Sequence, residues 1–326
     1  MEAPFRNRRE GSDEIFMNIA FYGNHFYYGG LANNGGSRTI LLSAEELRKL
    51  GHRVDVVTHT DRFTWFKHPK VIRKIAKDTD CLVAISISDV GIMTKAAPKG
   101  CKLFYWARPM EFWQKSERKC LKKLKNFPGK IMCNSRWQVN WLNEHGIKAE
   151  VFFSGQDLED KVPKRQHANK FPIVGVQYST KPRKGWGNFK RIVDILGTSV
   201  RYVGFGSEKC KENIFSIYLR NPGRDELTDL YRRMSVFVCC SDLEGFYNPG
   251  VEAAMQGCVI VANNNSRNGC MDYCTPETAH IHLSPVTAAE NILNPDFTKV
   301  DKMRDIIKTK IGTRKQNMER MIECLK

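Results

Sequence analysis

Residues Ser241 to Asn263 read SDLEGFYNPGVEAAMQGCVIVAN, and the fold is read outward from them. A short apolar run, Val236 to Cys240, precedes the stretch and predicts a buried parallel strand; a second, Cys258 to Ala262, closes it. Between them the chain passes through a turn into a helix. Pro249 suits the first helical turn, where a missing N–H costs nothing, and Gly257 stands where a helix stop is expected. The result is a strand, loop, helix, strand unit. Glu244 falls in the loop and Glu252 in the helix, eight positions on, so both carboxylates can face a crevice at the C-terminal edge of a sheet. That edge is where open α/β sheets bind ligands.

Carboxylates accept hydrogen bonds from sugar hydroxyls, and the free N–H groups of a helix start favour an anion, so the pair suggests a ligand carrying hydroxyls and phosphate together. A bare pair also fits a loop charge and a solvated helix residue. The letters around it add more: Glu244-Gly245-Phe246, then Asn248, Pro249, Gly250 and Glu252-Ala253-Ala254, resemble the signature of the retaining GT-B glycosyltransferases of family 4, two Glu residues separated by seven others. The resemblance implies an α/β chain of GT-B architecture, two doubly wound Rossmann-like domains facing a central cleft. It implies Glu244 against the donor sugar, Glu252 on the ribose, and Gly245, Phe246, Asn248 and Gly250 in the donor site.

At 326 residues the chain can bury a sizeable core and is expected to form two domains. No apolar run is long enough to span a membrane, and the polar start MEAPFRNRREGSDE is unlike a secretory signal, which predicts a cytoplasmic protein. The eleven cysteines fall mostly in apolar strand-like runs, as Cys81, Cys133, Cys239, Cys240 and Cys258 do, and read as reduced core residues. Cys270 and Cys274 lack the second pair that a zinc site needs. The formal charge is +17: residues 1–155 hold 26 Lys and Arg against 15 Asp and Glu, and residues 156–326 hold 26 against 20. The excess lies mostly in the first half. Such a half predicts an acidic partner, whether nucleic acid, anionic headgroups at a membrane surface or a charged glycan; a general solubility role is the plainer alternative.

In chain order, residues 1–14 read as a basic tail and 15–155 as the first domain. Ile15 to Tyr22 predicts its first strand. Gly29-Gly30-Leu31-Ala32-Asn33-Asn34-Gly35-Gly36 is a glycine-rich loop before a helix from about Ser37 to Leu50, where backbone N–H groups can approach an anion. With Gly51-His52-Arg53 and the strand after it, this resembles the opening of family 4 enzymes, which implies that Gly35 or Gly36 meets the donor. Further strands are expected near Cys81–Ile87, Leu103–Ala107, Ile131–Asn134 and Glu150–Phe153, with helices at Gln114–Asn126 and Ser135–His145. Strands alternating with helices of this length predict a parallel, doubly wound sheet.

Tyr105-Trp106-Ala107-Arg108-Pro109-Met110-Glu111-Phe112-Trp113 follows a strand, so its aromatics and charges could line an acceptor site, with Glu111 or Arg108 near the reacting hydroxyl and Trp106 and Trp113 stacking on the acceptor; a core lid is the alternative. Lys115, Arg118, Lys119 and Lys122 share one face of the expected helix and form a basic stripe suited to phosphates, or a solvated face. Residues 156–170 read as a linker, 171–300 as the second, nucleotide-sugar domain, and 301–326 as a closing helix. Lys184-Gly185 matches the family's diphosphate-binding pair. Position 179 is Ser where the family has Arg, so Arg183 or Lys181 supplies the second cation. Fixed positive charge there stabilises a departing nucleoside diphosphate. Gly204 to Glu208, Gly206 included, could bracket the nucleobase.

The resemblance runs from about Asn18 to His282. It implies transfer of a hexose from a nucleotide-diphosphate sugar to an acceptor hydroxyl with retention, by front-face displacement in which the departing phosphate helps to take the acceptor proton. No tightly bound metal and no cofactor beyond the donor is implied, since Lys184, Arg183 and the helix start carry the charge. Asp78-Thr79-Asp80 carries the metal-binding spacing of another glycosyltransferase fold but lacks the rest of it. Hydroxymethylated DNA suits a compact, basic chain as acceptor; a saccharide or glycolipid at an anionic surface is the alternative, and a silent nucleotide-sugar-binding protein the third. The sequence is silent on oligomeric state.

Overall fold

The structure is a computed structural model that describes residues 16–24, 30–112, 115–157 and 172–326. The expected tail 1–14, residues 158–170 of the expected linker, and Trp113 lie outside the described residues. The chain divides into two compact units, 1–134 with 139–155 and 314–326 in the first, 135–138 with 156–313 in the second.

In the first unit strands and helices alternate: β1 (Asn18–Tyr22), α1 (Gly35–Lys49), β2 (Arg53–Val57), β3 (Cys81–Ala84), α2 (Ile87–Ala96), β4 (Lys102–Ala107), α3 (Glu117–Lys125), β5 (Lys130–Cys133), α4 (Arg136–Glu144) and β6 (Glu150–Val151). The start of α4, up to Gln138, belongs to the second unit. The six strands pair in parallel in the order β2-β1-β3-β4-β5-β6. Alternate strand residues, Ile19 and Phe21, Val54 and Val56, Cys81 and Val83, Phe104 and Trp106, share one core with Ile40, Leu41, Ala44 and Leu47 of α1. This is the period of two meeting the period of 3.6.

The second unit repeats the scheme with β7 (Ile173–Gln177), α5 (Trp186–Leu196), β8 (Arg201–Gly206), β9 (Phe215–Arg220), α6 (Arg224–Arg233), β10 (Val236–Cys239), α7 (Asn248–Met255), β11 (Val259–Asn263), β12 (His280–His282), α8 (Pro285–Leu293) and α9 (Thr298–Ile306). Its sheet is parallel throughout, in the order β12-β11-β10-β7-β8-β9. Val174, Val176, Val236, Val238, Val259 and Val261 fill the face covered by α5 and α8. The last helix, α10 (Arg314–Leu325), belongs to the first unit, whose core takes Met318, Met321, Ile322 and Leu325. The segment expected as one closing helix is thus two helices, parted by a wide turn at Ile307–Ile311 and by Gly312 at φ 75°.

Two expectations are corrected. The strand from Cys81 stops at Ala84, because Ser86 accepts from the Ser88 N–H at 3.2 Å and caps α2. Helix α3 begins at Glu117, so Lys115 precedes it and does not share a helical face with Arg118, Lys119 and Lys122. Asp78 and Asp80 hold the opposite, N-terminal edge of the first sheet: Asp80 accepts from the Asn18 N–H at 2.8 Å and Asp78 pairs with Arg53 at 2.9 Å. The eleven cysteines are free thiols, eight of them buried.

Both sheets contain a point where the chain reverses its direction of travel across the sheet, between β1 and β3 in the first and between β7 and β10 in the second. Loops leaving such a pair of strands diverge, which opens a crevice at their C-terminal ends.

Candidate active site

At the reversal point of the second sheet, the loops after β7 and β10 meet. Gly185 makes this contact: its φ is 68°, and a Cβ on it would lie 1.8 Å from the Cys240 carbonyl oxygen. Only glycine lets the turn at Pro182–Lys184 rest on the end of β10. The Arg183 carbonyl then accepts from the N–H groups of Asp242 at 2.8 Å and Leu243 at 3.3 Å. These bonds bring Lys184 beside the β10 loop, with its Nζ 2.5 Å from Glu244 Oε1 and 5.7 Å from the centre of the Tyr247 ring. The two charged side chains are 18% and 10% exposed, so the pair has little competition from water.

Glu244 is fixed through its backbone on both sides. Its N–H donates to the Arg267 carbonyl at 3.2 Å, and its carbonyl accepts from the Gly269 N–H at 3.2 Å and from Trp137 Nε1 at 2.7 Å. Gly269 is obligatory, since a Cβ there would lie 1.7 Å from the Gly245 carbonyl oxygen. Asn268 locks the same crossing by donating to the Ser241 carbonyl at 2.7 Å and accepting from the Cys270 N–H at 3.1 Å. Beyond it Phe246 is buried against Tyr273, whose hydroxyl donates to the Tyr247 carbonyl at 3.0 Å. Tyr247 takes the left-handed conformation, φ 63°, that turns the chain into α7.

Helix α7 carries Pro249 in its first turn and Glu252 on a half-buried position, where Oε2 accepts from the Tyr231 hydroxyl at 3.3 Å. Asn248 Oδ1 accepts from Gln156 Nε2 at 3.0 Å. Gly250 has a packing reason to be glycine: a Cβ would stand 2.5 Å from the Tyr273 hydroxyl. The same holds for Gly206, whose Cβ would meet the Tyr178 carbonyl oxygen at 2.5 Å and the Tyr218 hydroxyl at 2.8 Å. Two acidic residues were missed by sequence reading. Asp242 accepts from Asn263 at 3.2 Å, and burial pushes its carboxyl up. Glu208 receives Ser179 Oγ at 2.9 Å, so Ser179 is an anchor for a carboxylate. Asp242 stands two residues before Glu244 and Glu208 closes the Gly204–Glu208 stretch, but neither side chain was given a role there.

In the first unit, α1 starts two residues earlier than expected, at Gly35, with the Asn34 side chain accepting from the Ser37 N–H at 2.8 Å. A Cβ on Gly36 would lie 2.7 Å from Arg108 Nη1, whereas one on Gly35 would meet nothing within 4 Å. The Arg108 guanidinium donates to the Ile85 carbonyl. Burial pushes its pKa down, and Glu111 opposes that shift. Glu111 is buried and its Oε2 accepts from the Ile87 N–H at 2.6 Å, holding the start of α2. Arg108, Glu111 and Gly36 therefore gather at the reversal point of this sheet, with Glu111 committed to the backbone. Trp106 does not line a site: it is fully buried, donates to Asn134 Oδ1 at 3.2 Å and packs edge-on to Phe152. A strand covered on both faces leaves no exposed side for it. Arg118, Lys119 and Lys122 are exposed on α3, while Lys123 turns inward to the carbonyls of Ile87 at 2.8 Å and Ser88 at 3.0 Å.

Two six-stranded parallel sheets, each wound by helices about a reversal point, define the GT-B fold. No protein-family model matches the chain, and no curated protein matches it. Solved structures do. HepE of Anabaena in complex with UDP-glucose matches with a TM-score of 0.72 at 18% identity, over 94% of this chain and 100% of that one. Sucrose-phosphate synthase of Thermosynechococcus elongatus matches with a TM-score of 0.71 at 12% identity, over 94% and 98%. A glycosyltransferase of Rickettsia africae matches with a TM-score of 0.65 at 14% identity, over 95% and 98%. At these identities the likeness is one of fold. Among the described residues no helix is long and apolar enough to cross a membrane.

Proposed function

We propose that this chain is a glycosyltransferase that moves a hexose from a nucleotide-diphosphate sugar to an acceptor hydroxyl with retained anomeric configuration. The observation that carries the reading is the Lys184–Glu244 pair at the reversal point of the second sheet, with Glu252 on the helix that follows. An ammonium has three donors; among the described residues Glu244 engages one of them, which leaves two to take a diphosphate. Glu244 accepts from hydroxyls of the sugar, and Glu252 from those of the ribose. In the reaction the bond between the sugar C1 and the phosphate oxygen breaks with its electron pair leaving on the nucleoside diphosphate. The acceptor oxygen bonds to C1 on the same face, and its proton passes to the departing phosphate. Lys184 and the start of α7 hold the developing charge, so activity is expected to persist in EDTA. UDP-glucose, which HepE binds, is the first donor to try.

The acceptor is a polyanion, with hydroxymethylated DNA favoured by the formal charge of +17 and by the exposed cations of α3. The burial of Trp106 removes that residue from any stacking on a flipped base. The test is a mass-spectrometric screen of nucleotide sugars against hydroxymethylated DNA, plain DNA and glycan acceptors, with Glu244→Gln and Lys184→Met beside the wild type. Transfer of a hexose that both variants lose supports the reading. Transfer to glycans alone overturns the DNA acceptor, and a wild type that neither transfers nor hydrolyses any donor overturns the enzyme.

A further inference from the structure

Lys184 lies at the end of a segment that is held down at both ends. The far end is the Gly185 contact with β10. The near end is Ser179–Thr180, just after β7, and it is fastened to one carboxylate in the loop that follows the neighbouring strand, β8. Glu208 Oε1 accepts from Ser179 Oγ at 2.9 Å, and Oε2 accepts from the Thr180 N–H at 3.0 Å and from the Thr180 hydroxyl. From there the bonds continue without a gap. The Lys181 N–H donates to Ser179 Oγ at 3.3 Å, the Lys184 N–H to the Lys181 carbonyl at 2.9 Å and the Gly185 N–H to the Pro182 carbonyl at 3.0 Å.

Glu208 is itself anchored. Its carbonyl accepts from the Tyr218 hydroxyl at 2.6 Å, and two residues before it Gly206 packs without a side chain against the Tyr178 carbonyl and the same Tyr218. The β8 loop therefore offers a fixed carboxylate, and the β7 loop, which carries Lys184, folds onto it. A carboxylate that accepts three hydrogen bonds stays ionised, and the bonds from Thr180 and Ser179 hold Glu208 below the usual carboxylate range.

We propose that Glu208 is a positioning residue: by binding Ser179 and Thr180 it fixes the 179–184 segment and so sets the place of the Lys184 ammonium. This rests on the function proposed above for its consequence in turnover, but its geometric content stands apart from it. A short hydroxyl at position 179 allows the arrangement, since it reaches the Glu208 carboxylate directly while its oxygen still receives the Lys181 N–H.

Two readouts test it, with Glu208→Ala and the conservative Glu208→Gln, which keeps an acceptor oxygen. The first uses no donor: amine-reactive labelling of the wild type and both variants, with Lys184 modification followed by mass spectrometry. Held beside Glu244 and 18% exposed, Lys184 should label slowly in the wild type and in Glu208→Gln, and about three- to tenfold faster in Glu208→Ala, because a segment that loses its tether opens locally more often. Equal labelling in all three overturns the proposal whatever the enzyme does.

The second is a double-mutant cycle on kcat and KM with UDP-glucose, crossing Glu208→Ala with Lys184→Met. Glu208→Ala alone should lower kcat about tenfold with KM changed less, and it should have almost no further effect once Lys184 is gone, because it acts through that residue. Full additivity would mean that Glu208 acts independently of Lys184, which overturns the positioning role; so would Glu208→Gln failing to restore kcat. A wild type without turnover would sink the proposed function alone, leaving the labelling result to decide this inference.

Discussion

At the scale of single residues, the Lys184–Glu244 pair sets the sharpest expectation. The partners lie 2.5 Å apart with 18% and 10% of their side chains exposed, so removing one leaves the other nearly buried and uncompensated. Lys184→Met should cost about 1–3 kcal/mol in urea unfolding, and adding Glu244→Gln should recover part of that loss. In activity either single change should lower kcat about 100- to 1,000-fold, the range for removing a charge-stabilising donor, and the double variant should recover none of it. A partial return of stability without a return of rate separates the two roles of the pair. Asp272 gives a second prediction. Its carboxylate accepts from the Arg136 N–H at 3.1 Å, yet burial raises its pKa from 3.8 to about 6. Between about pH 4 and 6 the folded chain therefore holds a proton that the unfolded chain has lost. That contribution to stability is complete below pH 4 and is lost as pH rises through 6. Asp272→Asn should raise stability at pH 7 by about 1–3 kcal/mol and flatten that stretch of the profile, read by urea unfolding from pH 4 to 8.

At the scale of elements, two glycines should respond in opposite senses. Gly185→Ala places a Cβ 1.8 Å from the Cys240 carbonyl at φ 68° and should cost about 2–5 kcal/mol along with the loss of donor binding. Gly35→Ala has open space and a helical position, and should leave the melting point unchanged or raise stability by about 0.5–1 kcal/mol. Both glycines stand next to a helix start in the sequence; what separates them is a carbonyl fifty-five residues away, which no local pattern reveals. The same reasoning marks what was legible. The strand, loop, helix and strand around Glu244 are visible because β10 and β11 are buried continuously and read as unbroken apolar runs. β9 was not, because Phe215–Arg220 is a sheet edge and only partly covered, so its letters carry a weak signal. Trp106 was misread for the converse reason: polar neighbours Arg108 and Glu111 follow it, but it still belongs to the strand. Glu208 had no signal, since its role depends on Ser179 and Thr180, which reach it from the adjacent strand's loop.

At the scale of the whole molecule, the fold gives two sheets of the same design, but the charge is not shared equally. Residues 1–155 carry 26 Lys and Arg against 15 Asp and Glu, and some of these cations are turned inward. Lys123 is spent on the carbonyls of α2 and Arg108 on that of Ile85. Four cations of α3 are exposed, Arg118, Lys119, Lys122 and Lys125, with Cys120 and Leu124 facing inward; the first three come from the expected basic stripe. If this face meets a polyanionic acceptor, each neutralised phosphate releases condensed counterions, and the logarithm of affinity falls with the logarithm of salt by about 0.9 for each contact on duplex DNA. Reversing all three charges, Arg118→Glu with Lys119→Glu and Lys122→Glu, should therefore weaken binding to hydroxymethylated duplex DNA at low salt and flatten the salt slope by about 2–3. Donor binding should be unchanged, because α3 belongs to the first unit and the Lys184–Glu244 pair to the second. Fluorescence anisotropy of labelled duplex across a salt series, with calorimetric titration of UDP-glucose beside it, reads both. An unchanged slope with weakened binding would place the phosphates elsewhere and make the α3 cations a solvated face; a wild-type slope near zero would remove DNA as the acceptor and leave a saccharide or glycolipid in its place.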